Sequence, residues 1–127
     1  MGVVFSWPGT AAILMAKAIG CTVITTVGDD NKIEKAKAIG ADHVINYRKD
    51  RIETITRKLT SKKGVDVVFE HVGAETFNGS LLCLKRGGRL VTCGSTSGPT
   101  TTLRTCYGSG NDWWLWALIG AKHRWAL

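Results

Sequence analysis

Apolar bursts at residues 22–27, 43–47 and 65–69 recur at intervals of roughly 20 residues, separated by amphipathic, Lys-rich stretches. This is the cadence of strands alternating with helices, and it predicts a parallel sheet joined by crossover helices. Residues 2–5 read as the tail of a first strand. Residues 10–19 follow as a helix, with Ala11, Leu14, Met15, Ala18 and Ile19 at helical spacing and Gly20 as its stop. Residues 21–27 form a β-branched strand. Asp29, Asp30 and Asn31 supply N-cap chemistry for a helix from about 32 to 39, closed by Gly40 at C′.

The next unit repeats the scheme, with a strand at 43–47, a helix from about 51 to 61 and a Lys62-Lys63-Gly64 turn. The strand at 65–69 carries Asp66 as its single polar residue, as expected when helices cover both faces of the sheet. A fourth helix, about 75–84, is ended by Arg86-Gly87-Gly88, and a fifth strand runs over 89–93. Beyond Gly94 the pattern changes to a Ser/Thr/Gly/Pro loop, then to a tail holding Trp113, Trp114, Trp116 and Trp125.

Composition narrows the class. A chain of 127 residues is one domain's worth, and 44% hydrophobic with 21% charged residues is ordinary for a globular protein. No apolar run reaches the ~20 residues of a membrane-spanning helix, so no membrane role is expected. The formal charge of +7 sits mostly on presumed helix faces and turns, with no block of five like charges. That argues for a solvated surface and against nucleic acid as a partner, while a basic rim would help draw in a phosphate-bearing ligand. Cys21, Cys83, Cys93 and Cys106 lie far apart without a C-x-x-C pair, which fits buried free thiols and a cytoplasmic location.

The chemistry is expected at the strand ends. Gly28, Gly73 and Gly94 stand where parallel strands open onto a ligand crevice, and the expected occupant is a dinucleotide. Such a site needs a glycine-rich turn after the first strand, so that backbone N–H groups approach the pyrophosphate. In this chain Val3 and Trp7 occupy glycine positions, Gly9 alone remains, and Pro8 removes a donor. At the end of the second strand, where NAD-binding proteins place a carboxylate for the ribose 2′-hydroxyl, the residue is Val27. Gly28 and Lys32 then favour a 2′-phosphate, hence NADP over NAD. Asp29 and Asp30 oppose this by repulsion, and Lys32 also reads as an ordinary surface lysine. His43, His71 and His123 show no metal-ligand spacing, and no catalytic residue is assigned. Glu70 and His71 end the fourth strand and are expected to face the crevice, either solvated or, for His71, with a direct role.

From about residue 9 to 99 the chain resembles the nucleotide-binding domain of the medium-chain dehydrogenase/reductase superfamily, nearest its zinc-independent quinone oxidoreductase and enoyl reductase branches. The residues that carry the resemblance are Ala11-Ala12, Ala16-Lys17, the run from Lys37 to Tyr47, Gly64 to Phe69, Val72-Gly73, Gly87 to Val91 and Gly94-Ser95. It implies an α/β, Rossmann-like doubly wound parallel sheet in three α/β/α layers, with the first strand cut short. It also implies that Gly28, Lys32 and Tyr47 hold the 2′-phosphate of NADPH. Val72, Gly73, Gly94 and Ser95 would line the nicotinamide end, and Gly9 would lie nearest the pyrophosphate.

Family members add a barrel-like domain that builds the substrate site and, in the alcohol dehydrogenases, holds a catalytic zinc. The chain is therefore expected to be a single dinucleotide-binding domain over 1–127, binding NADP(H) without zinc. Hydride transfer would require a substrate domain from elsewhere. Residues 113–119 are expected as a sixth strand on the edge that pairs two subunits in the family, giving a homodimer contact; a frame-slipped or recombined gene end is the other reading of this tail. The alternative function is a non-catalytic remnant, or a self-associating module with little cofactor affinity.

Overall fold

The computed structural model describes residues 2–6, 10–92, 94–98 and 114–117, of which 2–6 and 114–117 are described by their backbone. Six strands, β1 (Gly2–Ser6), β2 (Thr22–Val27), β3 (His43–Asn46), β4 (Val65–Glu70), β5 (Leu84–Thr92) and β6 (Trp114–Ala117), form one sheet in the order β3-β2-β1-β4-β5-β6. Every pairing is parallel. The expected short central strand closes the sheet: β1 pairs with β2 over all five of its residues and with β4 from Val3 to Phe5. The order reverses at β1, the switch point at which such sheets leave a crevice above their strand ends.

Helices α1 (Thr10–Ala18) and α2 (Ile33–Ile39) cover one face, and α3 (Ile52–Leu59) and α4 (Phe77–Cys83) the other. The alternation of β2 explains this sharing. Val23 and Val27 enter the core under α1 and α2, with Ile13, Ala16, Cys21, Ala36 and Ala41, while Ile24 enters the opposite core with Ile45, Ile52, Val68, Leu81 and Leu90. Each fully buried Val, Ile or Leu contributes about 1.5–3 kcal/mol of transfer free energy, so both layers draw on the same central strands.

Three sequence expectations change. In α1 the residues at helical spacing are not the sheet-facing ones: Ile13 and Ala16 are buried, whereas Leu14, Met15 and Ile19 are 54%, 69% and 72% exposed. The helix is apolar nearly all round, so periodicity cannot choose its inner face. The small Ala16 lets the helix come close to the sheet.

The helix expected from about residue 32 begins with a 3-10 turn, Asp30–Lys32, capped by Asp29, whose side chain accepts from Asn31 N. The third change is at Arg86-Gly87-Gly88, which does not end a helix. It lies inside β5, where the pairing jumps from Val65 opposite Leu84 to Val67 opposite Arg89, a bulge that absorbs the extra residues.

Candidate dinucleotide-binding site

All strands point the same way, so Val27, Asn46, Glu70 and Thr92 end on one rim of the sheet, and the loops after them build the site. Two clusters form there, one on each side of β1.

The first joins the turns after β2 and β3. Gly28 lies under the ring of Tyr47: a Cβ at residue 28 would fall 2.7 Å from Tyr47 Oη and 3.1 Å from Cζ. Tyr47 N donates to Val27 O at 3.0 Å, which sets the turn from which the phenol projects. Asn46 is buried and works in both directions. Its Nδ2 donates to Asp30 Oδ1 at 2.7 Å, and its Oδ1 accepts from Arg48 N at 3.0 Å.

Asp30 is also paired with the Lys49 ammonium. These contacts, Lys49 first and Asn46 second, hold the Asp30 carboxyl below its usual 3.8, and Asp30 in turn raises Lys49 above 10.5. The carboxylate expected to repel a phosphate is thus engaged with a cation and an amide, and that of Asp29 caps the 3-10 turn. Lys32 ends that turn, exposed, four residues beyond Gly28. Val27, at the position where an acidic residue would bind a ribose 2′-hydroxyl, is fully buried under α1 and α2.

The second cluster joins the loops after β4 and β5. Val72, Gly73, Gly94 and Ser95, expected together, are together. Gly73 has φ +89, and a Cβ there would collide with Ser95 Oγ and fall 2.9 Å from Gly98 O. The loops are stitched by Thr96 N to His71 O at 3.2 Å and by Ser97 N and Oγ to Val72 O at 2.7 and 2.6 Å. Ser95 spends its hydroxyl on Gly98 O within its own turn. The His71 ring stands against Gly94, with Cδ2 3.3 Å from the Cβ position, and among the described residues its buried Nδ1 has no partner.

Glu70 does not face the crevice. Its side chain is 0% exposed, turned inward beneath the loop. Sequence reasoning missed it because a carboxylate at a strand tip is normally solvated. The available signal was the pair of hydroxyls, Thr76 and Ser80, on the segment that begins α4.

Gly9, Trp7 and Pro8 lie outside the described residues. A cavity of about 520 Å³ opens between the first turns of α3 and α4, and of the expected cofactor residues only Tyr47 lines it. Among the described residues no three His, Cys, Asp or Glu side chains gather as a metal-holding set. Nor, among them, is any helix long and apolar enough to cross a membrane.

A family model described as zinc-binding dehydrogenase matches residues 9–111. The quinone oxidoreductase of Salmonella typhimurium is 43% identical over 93 residues, covering 73% of this chain and 28% of that protein. The crystal structure of Escherichia coli quinone oxidoreductase complexed with NADPH superposes with a TM-score of 0.78 at 33% identity, over 94% of this chain and 38% of that one. An NAD-dependent alcohol dehydrogenase structure superposes with a TM-score of 0.84 at 34% identity, over 93% of this chain and 36% of that one. The chain spans 28%, 29% and 28% of the length of three of the curated relatives it matches.

Proposed function

The chain belongs to the zinc-binding dehydrogenase family, and from that premise we propose that it is an NADP(H)-binding domain of a quinone oxidoreductase-like reductase. The observation that carries the choice of cofactor is the Gly28–Tyr47 apposition, beside Lys32 and above a buried Val27. Without a Cβ at residue 28, the Tyr47 phenol packs directly over the turn after β2 and brings its hydroxyl to the end of that strand. A 2′-phosphate seated there meets a hydroxyl and an ammonium group and no carboxylate from the strand end, whereas the free 2′-hydroxyl of NAD would lack the strand-end carboxylate that accepts from it in NAD-binding proteins.

The NADPH complex of the 33%-identical E. coli enzyme supports this reading, and the NAD-dependent relative of similar identity marks the competing one. Gly28, Lys32 and Tyr47 would hold the adenosine phosphate, Gly9 would lie at the pyrophosphate, and Val72, Gly73, Gly94 and Ser95 would wall the nicotinamide end. When bound, NADPH supplies a hydride. The residues of this chain bind and orient it, and turnover follows when a substrate domain completes the site.

Calorimetric titration with NADPH, with NADH as competitor, tests the proposal. Saturable binding is expected, with NADPH preferred by roughly tenfold or more, the worth of one charge-assisted contact. No saturable heat at millimolar NADPH would remove the reading.

The exposed Leu14, Met15 and Ile19 and the edge position of β6 favour a second reading, in which the domain self-associates as a homodimer or as a non-catalytic module. Light scattering on the full chain and on a version ending near Pro99 separates the cases. Equal masses would remove a role for the C-terminal edge.

A further inference from the structure

Three consecutive peptide N–H groups at the end of β4 converge on one oxygen. His71 N, Val72 N and Gly73 N lie 3.0, 2.7 and 3.1 Å from Glu70 Oε1, and Thr76 Oγ1 adds a fourth donor at 2.9 Å. Glu70 Oε2 accepts from Ser80 Oγ. Successive N–H groups aimed at one point form an anion-binding nest of the kind that elsewhere takes a phosphate. In this chain the anion is the protein's own buried side chain.

The carbonyls of the same residues also face inward. His71 O accepts from Thr96 N, Val72 O from Ser97 N and Oγ, and Gly73 O from Thr76 N and Phe77 N at 3.1 and 2.9 Å. The peptide N–H groups of residues 71–73 are therefore all committed to Glu70, and none is left over for a ligand. Residues 71–73 thus offer a cofactor no N–H donor but a defined shape, and that shape is held from below by one carboxylate and from the side by the loop at 94–98.

We propose that Glu70 is a positioning residue for the cofactor: it sets the β4–α4 turn, and through it the 94–98 loop, as a rigid wall for the nicotinamide half of the dinucleotide. The inference rests on the NADP(H) reading above. The adenosine half is held across β2 and β3, on the opposite side of β1 from Glu70, so removing the carboxylate should loosen one half of the site and spare the other. An apolar isostere would leave three buried N–H groups without an acceptor. Gln keeps an acceptor oxygen at nearly the same place, and Asp withdraws it by one methylene.

The test is calorimetric titration of the wild-type chain, Glu70→Leu, Glu70→Gln and Glu70→Asp with NADPH and, separately, with 2′,5′-ADP, which carries the adenosine phosphate alone. Thermal unfolding of each variant runs in parallel. For Glu70→Leu the expected result is NADPH affinity lowered about tenfold with 2′,5′-ADP affinity within about twofold of wild type, and Glu70→Gln is expected to restore NADPH binding to within about threefold.

Equal losses for both ligands in a folded Glu70→Leu, or no loss for either, would overturn the proposal. Should Glu70→Leu not fold, the Asp and Gln variants carry the same comparison, and identical NADPH affinities for the two would overturn it. A wild-type chain that binds 2′,5′-ADP but gains nothing from the nicotinamide half defeats the wall alone. One that binds neither ligand defeats the NADP(H) reading and this inference with it.

Discussion

Gly28 and Tyr47 are separated by 18 residues of chain, yet the space a Cβ would need at Gly28 ends 2.7 Å from the Tyr47 hydroxyl. Replacing Gly28 by Ala must push the phenol away from the β2 turn. We expect Gly28→Ala to lower NADPH affinity about tenfold while costing under about 1 kcal/mol of stability, because Tyr47 is only half-buried and can move. Tyr47→Phe removes the colliding oxygen. In the double variant the stability loss should shrink, which urea unfolding of the four-member cycle measures.

Lys32 is predicted to distinguish the cofactors. Lys32→Ala should weaken NADPH about tenfold and leave NADH within about twofold, since only the 2′-phosphate meets the ammonium group. Raising the salt concentration should weaken NADPH binding more in the wild type than in the variant. Parallel losses for both cofactors would place Lys32 outside the phosphate site.

Asp42 ties the start of β2 to the end of α1. Its Oδ2 accepts from Val23 N at 2.7 Å, and Lys17 Nζ lies 3.1 Å from both carboxylate oxygens. The Val23 amide foremost, with Lys17 after it and against partial desolvation, holds the carboxyl below 3.8. With the folded value depressed, the stabilisation is fully present above about pH 5 and is lost as pH falls below 3.8 through the folded value. Asp42→Asn should remove this component of the acid limb in urea unfolding between pH 6 and pH 2. At neutral pH it should cost at most about 1 kcal/mol, because the pair is partly exposed and screened.

Cys83, the last residue of α4, is fully buried, and burial pushes its thiol up to about 12. In a Cys21→Ala, Cys93→Ser, Cys106→Ser background, a thiol reagent at pH 8 should leave Cys83 unlabelled while the chain is folded and react with it promptly in denaturant. Rapid labelling of the native protein would mean that α4 opens readily from the sheet.

The strands and their order of appearance were legible because they depend on local chemistry. Uninterrupted Val/Ile/Thr runs such as 22–27, bounded by Gly20 and Gly28, leave little choice but a strand covered on both faces. The two clusters on the rim were legible for a related reason: a parallel sheet brings every strand end to one rim, so Gly28 with Tyr47, and Gly73 with Ser95, come together once the strands are placed. Which face of α1 turns inward was not legible. Leu14, Met15 and Ile19 are as apolar as Ile13, and the choice belongs to the close approach that Ala16 allows.

The fate of each charge was not legible either, because a carboxylate's role depends on the donors that arrive from other elements. By itself the sequence determined the alternation of strand and helix, the family and the residue types at the strand ends. Only the tertiary structure decided that Asp30 would be neutralised by Lys49, that Val27 would lie in the core, and that Glu70 would turn inward to take the amides of the very loop expected to meet the cofactor. Hydrophobic periodicity is written along the chain, whereas hydrogen-bond partners are assigned in space.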